Sequence, residues 1–343
     1  MTYTAVLAGC GAMSKGWLEA ITHAPLLDNR VEIVGLVDLD ETLAATRASE
    51  FNLDVPCGTD LAGALGTLKP DLLFDVVPPA ARKPVVLAGL DHGCHVLSEK
   101  PMATSLADAR EIIAASERAG RVHAIVQNRR FIEGVRRIEA FLASGGIGEL
   151  TGVHCDFFLA PHFGGFREEM EHVLLLDMAI HTFDAARFMA GKVPLAVYAQ
   201  ETNPRGSWYA HGASANAIFE FSDGVTFTYR GSWCADGAPT SWEAAWRFVG
   251  TRGSLIWDGA ENFDARVLAG EGKFLNDLKP VIVPPLSSDD QTLGHASVIF
   301  EFIEAIEGHR SPETVSTDNF KSLAMVLAAI ESARTQTRVN IEL

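Results

Sequence analysis

The chain has 343 residues, 48% of them apolar and 21% charged, enough for about two domains with a sizeable core and too apolar for a disordered tail. Its 44 acidic against 28 basic side chains leave a net charge of −16, a field that repels a phosphate backbone and argues against nucleic-acid binding. No apolar run reaches the roughly 18 residues of a spanning helix, and no basic segment precedes the first apolar run, so neither membrane insertion nor a secretory leader is expected.

Five cysteines (Cys10, Cys57, Cys94, Cys155 and Cys234) are odd in number and far apart, without a Cys-x-x-Cys. That suggests neither a disulfide framework nor a zinc ribbon, and the expectation is a soluble cytoplasmic protein.

From residue 3 to about 125 short apolar runs alternate with helical stretches. Residues 3–8 form a first strand that ends in glycines. Residues 13–27 read as a helix with Trp17, Ile21 and Ala24 at helical spacing. A second strand over 31–37 leads into a helix over 41–51. Residues 71–77 are a strand stopped by Pro78 and Pro79, followed by a helix over 83–90 and a strand over 95–98. The helix over 105–119 opens on the Ser105/Asp108 capping signature and stops at Gly120. Residues 122–126 close the series. Continuous apolar strands joined by helices imply a doubly wound parallel sheet of Rossmann type.

Beyond residue 150 the pattern changes. Residues 214–221 and 225–233 alternate apolar and polar side chains, with Val225, Phe227, Tyr229 and Trp233 on one face and Thr226, Thr228, Arg230 and Ser232 on the other. Asp223-Gly224 between them is a hairpin signal, and 251–253 is a second turn leading into a strand over 254–257. This half reads as an α+β domain with a mainly antiparallel sheet and helices over 168–190, 296–307 and 320–335. The loop over 280–291 is the most linker-like stretch. Two domains are expected, 1–125 and 126–343.

Three groups of residues carry chemistry. Gly9-Cys10-Gly11-Ala12-Met13-Ser14 lies between the first strand and the first helix. Glycines there permit a tight turn and let a pyrophosphate approach the backbone, while the helix N-terminus offers unpaired N–H groups. Ser14 replaces a third glycine, which predicts slightly looser helix–strand packing. Asp38 ends the second strand, where a carboxylate accepts from both ribose hydroxyls of an adenosine and repels a 2′-phosphate. Asp40 and Glu41 are rivals for that role. NAD is the expected cofactor, with NADP possible because Arg30 and Arg47 are near in sequence. The third group is Lys100, placed by Glu99-Lys100-Pro101 at the carboxyl edge of the sheet, together with Asp177, His181 and Asp184, spaced i, i+4, i+7 on an apolar helix. An Asp/His pair at that spacing also serves as a structural ion pair; a metal site lacks a strong third ligand and none is expected.

Taken in order, the glycine loop, Glu99-Lys100-Pro101, the stretch 122–130 and Asp177-x-x-x-His181 resemble the glucose–fructose oxidoreductase / inositol dehydrogenase (Gfo/Idh/MocA) family along essentially the whole chain. The resemblance implies an N-terminal NAD(P)-binding Rossmann domain and a C-terminal substrate-binding domain with a large open sheet, through which homodimers or homotetramers assemble. It implies an NAD(P)-dependent dehydrogenase acting on CH–OH groups of a sugar, polyol or related small molecule. His181 matches the family's general base, Asp177 orients it, and Lys100 places an ammonium near the substrate oxygen. Glu99 matches the contact to the nicotinamide ribose. Gly9, Gly11, Ala12, Met13, Asp38, Val77, Pro78, Lys100 and Gln127 are the further cofactor positions. Substrate contacts are expected from Lys100, Asn128, Arg129, His162, Asp177, His181 and Trp233, with Asp184 structural.

Two departures touch the substrate side. Arg82 stands where the family usually has a histidine after the Pro78-Pro79 turn, and Glu171-His172 replaces a usual glycine pair before the catalytic helix. Two other functions fit the same motifs: an NAD-assisted glycoside hydrolase and a non-catalytic dinucleotide-binding regulator.

Overall fold

The computed structural model describes residues 1–287 and 292–343. The chain divides into two compact units, Met1–Phe131 with Gln291–Leu323, and Ile132–Asp290 with Ala324–Leu343.

In the first unit β1 (Tyr3–Ala8), β2 (Val31–Val37), β3 (Cys57–Gly58), β4 (Leu72–Asp75), β5 (His95–Ser98) and β6 (His123–Ile125) form a parallel sheet of order β3-β2-β1-β4-β5-β6. The connecting helices are α1 (Ser14–His23), α2 (Glu41–Glu50), α3 (Leu61–Leu68), α4 (Pro79–Asp91) and α5 (Leu106–Ala119). All four residues of β4 are buried, as in a strand covered on both faces. Capping sets the limits of α5: the Asp108 amide donates to Ser105 Oγ at 3.1 Å, and Gly120 closes the helix in left-handed backbone.

Prolines move two of the expected boundaries. Ala24, before Pro25, is extended, so the helix expected over 13–27 ends at His23 and Pro25–Leu27 makes a separate 3₁₀ turn. Pro79 opens α4 four residues earlier than expected, in the first-turn position that needs no amide donor. A further helix, α8 (His295–Glu307), expected with the second half of the chain, belongs to this unit. Its Ile299, Phe302 and Ile303 share one core with Trp17, Leu18 and Ile21 of α1.

In the second unit nine strands form one sheet: β7 (Leu150–Phe158), β8 (Pro194–Thr202), β9 (Ser214–Phe221), β10 (Thr226–Ser232), β11 (Ala245–Gly250), β12 (Gly253–Trp257), β13 (Phe263–Leu268), β14 (Leu278–Val281) and β15 (Val339–Asn340). Their order is β14-β13-β12-β11-β7-β10-β9-β8-β15, antiparallel except for the central β7/β10 pair. Val225, Phe227, Tyr229 and Trp233 are buried, as the alternation predicts; Ser232, expected on the open face, is buried too. Helices α6 (Glu133–Ala143) and α7 (Ile180–Ala190) belong here. Phe183 of α7 meets Phe219, Phe227 and Tyr229 edge-on, with ring centroids 4.8, 6.0 and 5.2 Å away.

The helix expected over 168–190 is not continuous. Gly165–Arg167 is a 3₁₀ turn, His172 has left-handed backbone (φ +54°), and Leu174–Ala179 is a π-helical turn that runs into α7. A residue with positive φ cannot lie inside a right-handed helix, which is why the regular part starts only after it. The last helix, α9 (Ser316–Thr335), begins a turn before residue 320, and after it the chain pairs with β8 at Val339–Asn340. Part of the linker-like stretch, 288–291, lies outside the described residues. No helix among the described residues is long and apolar enough to cross a membrane.

Candidate functional site

Five of the six parallel strands end in residues singled out above. Gly9 to Met13 follow β1, Asp38 follows β2, Val77 and Pro78 follow β4, Glu99 and Lys100 follow β5, and Gln127 and Asn128 follow β6. Ligands of open α/β sheets bind at this carboxyl edge.

The glycine loop is built by close contact. Gly9 has φ +97°, and a Cβ there would lie 2.6 Å from the Val76 carbonyl carbon. Gly11 has nothing within 4 Å of its Cβ position, so the space beside the exposed loop Gly11–Ala12–Met13 is open to a ligand. Ser14, the departure from a third glycine, is fully buried and donates to the Gly11 carbonyl at 2.7 Å; it ties the turn instead of loosening it. Cys10 is a buried filler whose thiol is pushed up to about 12, first by burial and then by Asp38, so it is not a nucleophile.

Asp38 is aimed at this loop. Its Oδ2 accepts from the Cys10 amide at 2.7 Å and its Oδ1 from the Asp40 amide at 2.9 Å. Asp40 caps α2 through Thr42, which accounts for that rival carboxylate. The two arginines that left room for NADP are engaged elsewhere. Arg47 donates to the carbonyls of Cys10 and Gly11 at 3.1 and 3.0 Å and pairs with Glu50, while Arg30 pairs with Glu304 and Glu307.

Arg82 sits inside the first unit. It is 1% exposed, pairs with the fully buried Asp75 at 2.9 Å, and donates to the carbonyls of Val77 (2.6 Å) and Pro101. One guanidinium therefore fastens the turn after β4 to the Glu99-Lys100-Pro101 turn after β5. The expectation that Arg82 borders a substrate gives way to this supporting role.

Glu99 is 6% exposed. Its Oε1 accepts from the Trp17 indole at 2.8 Å and its Oε2 from the Lys100 amide at 3.2 Å. Burial pushes this carboxyl up, yet His295, Trp17 and Lys100 together outweigh it and hold the group below its ordinary value. His295 was not legible in the sequence as a site residue. Gln127 is fully buried, and neither polar atom of its carboxamide has a hydrogen-bond partner. Arg129 lies in the 3₁₀ turn Asn128–Phe131 and is half-buried.

In the second unit Asp177 lies in the π-turn and His181 in the first turn of α7; both are half-buried on a segment whose neighbours are buried. Asp184, at the next expected position, is fully buried and pairs with Arg187 at 3.4 Å. Asp177 Oδ2 accepts from Arg167 Nε at 2.8 Å. The Arg167 guanidinium lies over the rings of Phe163 and Phe166 at 5.0 and 4.9 Å, and Phe163 meets Trp233 at 5.2 Å. His162 stacks on Trp208 with centroids 3.7 Å apart. One of the expected substrate contacts, Trp233, is thus linked to Asp177 through Phe163 and Arg167, while another, His162, forms a separate stack with Trp208. Arg167 and Trp208, the partners of Asp177 and His162, carried no such signal in the sequence. The indole N–H of Trp233 is buried and has no acceptor.

These features fit a dinucleotide on observations of the first unit alone: an open glycine cradle at a helix N-terminus, an aspartate locked beside it, and an unsatisfied buried carboxamide at the same edge. Comparisons with known proteins agree. Residues 3–127 match the family model described as an oxidoreductase family with an NAD-binding Rossmann fold, and residues 135–256 match that of the GFO/IDH/MocA C-terminal domain. A 1,5-anhydro-D-fructose reductase of Ensifer adhaerens is 25% identical over 98% of this chain and 98% of its own. A D-apiose dehydrogenase of Paraburkholderia graminis is 27% identical over 99% of this chain and 90% of its own. The crystal structure of an oxidoreductase from Agrobacterium radiobacter in complex with NAD+, L-tartaric acid and magnesium shares the fold, with a TM-score of 0.86 at 20% identity over 99% of each chain.

Proposed function

Because the chain belongs to the GFO/IDH/MocA family of NAD-binding oxidoreductases, we propose that it is a dehydrogenase acting on a CH–OH group of a sugar, polyol or related small molecule, with NAD preferred over NADP. The observation that carries the reading is the carboxyl edge of the parallel sheet, where the glycine loop, Asp38 and Glu99-Lys100 stand in a row. The preference for NAD rests on Asp38 beside the loop and on Arg30 and Arg47 being engaged with other groups.

When bound, NAD supplies a nicotinamide carbon able to accept a hydride. Gly9, Gly11, Ala12 and Met13 cradle its phosphates, Asp38 takes the adenosine ribose, Glu99 takes the nicotinamide ribose, and Val77, Pro78 and Gln127 complete the cofactor contacts. His181 takes the hydroxyl proton, for which an imidazole is suited at neutral pH. Asp177, held by Arg167, supports that imidazole. Lys100 stabilises negative charge on the reacting oxygen. Asn128, Arg129, His162 and Trp233 are the further substrate contacts; the ring pairs His162–Trp208 and Phe163–Trp233 offer faces suited to the apolar face of a sugar ring.

The unit Met1–Phe131 with Gln291–Leu323 holds the dinucleotide, and the unit Ile132–Asp290 with Ala324–Leu343 takes the substrate and forms the homodimer or homotetramer. Support for assembly through the nine-stranded sheet comes from its strands β8 and β9, which expose Leu195, Tyr198 and Ile218. Light scattering of the purified protein reads that assembly. All five cysteines are free thiols, which suits a cytoplasmic enzyme.

The test is a screen of sugars, polyols and aldonic acids with NAD and with NADP, read as NADH or NADPH formation. On the substrate found, His181→Ala and Lys100→Ala each lower turnover by about 10²–10⁴. Near-wild-type rates in both variants would end this assignment. Turnover of glycosides without net NADH would favour the hydrolase, and binding without turnover of any kind the regulator.

A further inference from the structure

His295 opens α8, in the segment that returns to the first unit, directly after Gly294 in left-handed backbone. Its side chain reaches the cofactor edge. Nε2 lies 3.6 Å from Glu99 Oε1, Nδ1 lies 3.4 Å from Asn128 Nδ2, and the ring meets Trp17 edge-on at 6.2 Å. Trp17 Nε1 donates to the same carboxylate oxygen at 2.8 Å.

An amide nitrogen only donates, so His295 Nδ1 is an acceptor and the proton of the neutral ring stands on Nε2, towards Glu99. Asn128 Oδ1 is buried and has no hydrogen-bond partner. A half-turn of that amide offers an acceptor to a doubly protonated ring, so either protonation state presents Nε2–H to the carboxylate. The charged groups gathered here are Glu99 and Lys100 from the end of β5. Trp17 of α1 and Asn128 after β6 are neutral.

A carboxylate as buried as Glu99 is costly to ionise unless donors surround it. We infer that His295 is a positioning residue for the dinucleotide: with Trp17 it holds Oε1 of Glu99, and this leaves the second lone pair of Oε2, whose other partner is the Lys100 amide, to receive a hydroxyl of the nicotinamide ribose. This inference rests on the reading that Glu99 meets that ribose. The contact at 3.6 Å is of the length that shortens when a bound partner completes the site.

The test is NADH affinity, by fluorescence titration of the full chain between pH 5.5 and 8.5, for wild type, His295→Ala and His295→Gln, with a melting curve of each. Loss of a donor to a buried charge weakens NADH binding in the alanine variant about 10-fold near pH 6. The loss shrinks towards pH 8, because an uncompensated Glu99 has a raised pKa and is ionised again only as the pH rises through it. Glutamine, whose amide N–H can replace the imidazole donor, restores affinity to within about twofold and removes the slope. An alanine variant that binds like wild type, or one that loses the same factor at every pH and is not rescued by glutamine, overturns the inference while wild-type NADH binding stands. Failure of the wild type itself to bind NADH overturns the dinucleotide reading beneath it.

Discussion

Two glycines two residues apart, Gly9 and Gly11, should respond to the same substitution in opposite ways. At Gly9 an alanine Cβ would stand 2.6 Å from the Val76 carbonyl carbon, 2.7 Å from its oxygen and 2.7 Å from the Val77 nitrogen, against roughly 3.5–4.0 Å for relaxed carbon contacts. All three atoms are backbone and have little room to move. Alanine in left-handed backbone costs about 1–2 kcal/mol, and crowding in a packed interior adds about 1–3 kcal/mol, so Gly9→Ala is expected to destabilise by about 2–5 kcal/mol. At about 2–4 °C per kcal/mol for a unit of this size, the melting temperature falls by roughly 5–15 °C. Gly11→Ala meets no atom within 4 Å and is not in left-handed backbone, so its stability should stay within about 0.5 kcal/mol of wild type. Its methyl group instead occupies the space through which phosphates approach the loop, and NADH affinity should fall at least about tenfold, or 1.4 kcal/mol. Melting curves and NADH titrations of the two variants separate the effects. Equal melting temperatures in both, or undiminished NADH binding in the Gly11 variant, would refute the division of labour argued for this loop.

Asp38→Ala should reduce the preference for NAD over NADP at least about tenfold, read as the ratio of kcat/KM with the two cofactors; an unchanged ratio would mean that another residue reads the ribose. His172→Gly should exchange one favourable term for another. Hydrogen bonding to Glu201 at 2.5 Å raises the pKa of His172, so its contribution to stability is complete below the ordinary value of 6.5 and is lost as the pH rises through the elevated one. Glycine removes that pairing but relieves left-handed backbone worth about 1 kcal/mol. The variant should therefore be less stable than wild type at pH 5.5 and level with it or better by pH 9, and a stability difference that does not change with pH would count against the pairing.

The first unit was legible because its strands are buried on both faces and read as unbroken apolar runs, each stopped by glycine or proline. Asp38 and Lys100 followed from their places at strand ends. His295 was not legible, since the residues it meets (Glu99, Asn128 and Trp17) lie far away in sequence and nothing around a lone histidine at a helix start marks a partner. Arg82 was read as a neighbour of the substrate for a similar reason: its partners Asp75 and Pro101 become partners only when β4 and β5 lie side by side. Strand β7 did carry a local signal, with Val153, Cys155 and Phe157 alternating inward, and it went unassigned. The break before α7 had no such signal, because histidine seldom adopts the conformation that a glycine pair would announce.

The π-turn at Leu174–Ala179 has an implication for how this scaffold changes. Such a turn holds one residue more than an ordinary helical turn, and removing that residue restores the regular spiral. Each residue of an α-helix advances the azimuth by about 100°, so one lost codon would swing Asp177 round the axis relative to His181 while leaving the anchoring of α7 on its aromatic bed intact. On the roles proposed for Asp177 and His181, retuning which molecule the second unit accepts is thus within reach of a single indel, with no rebuilding of the sheet beneath.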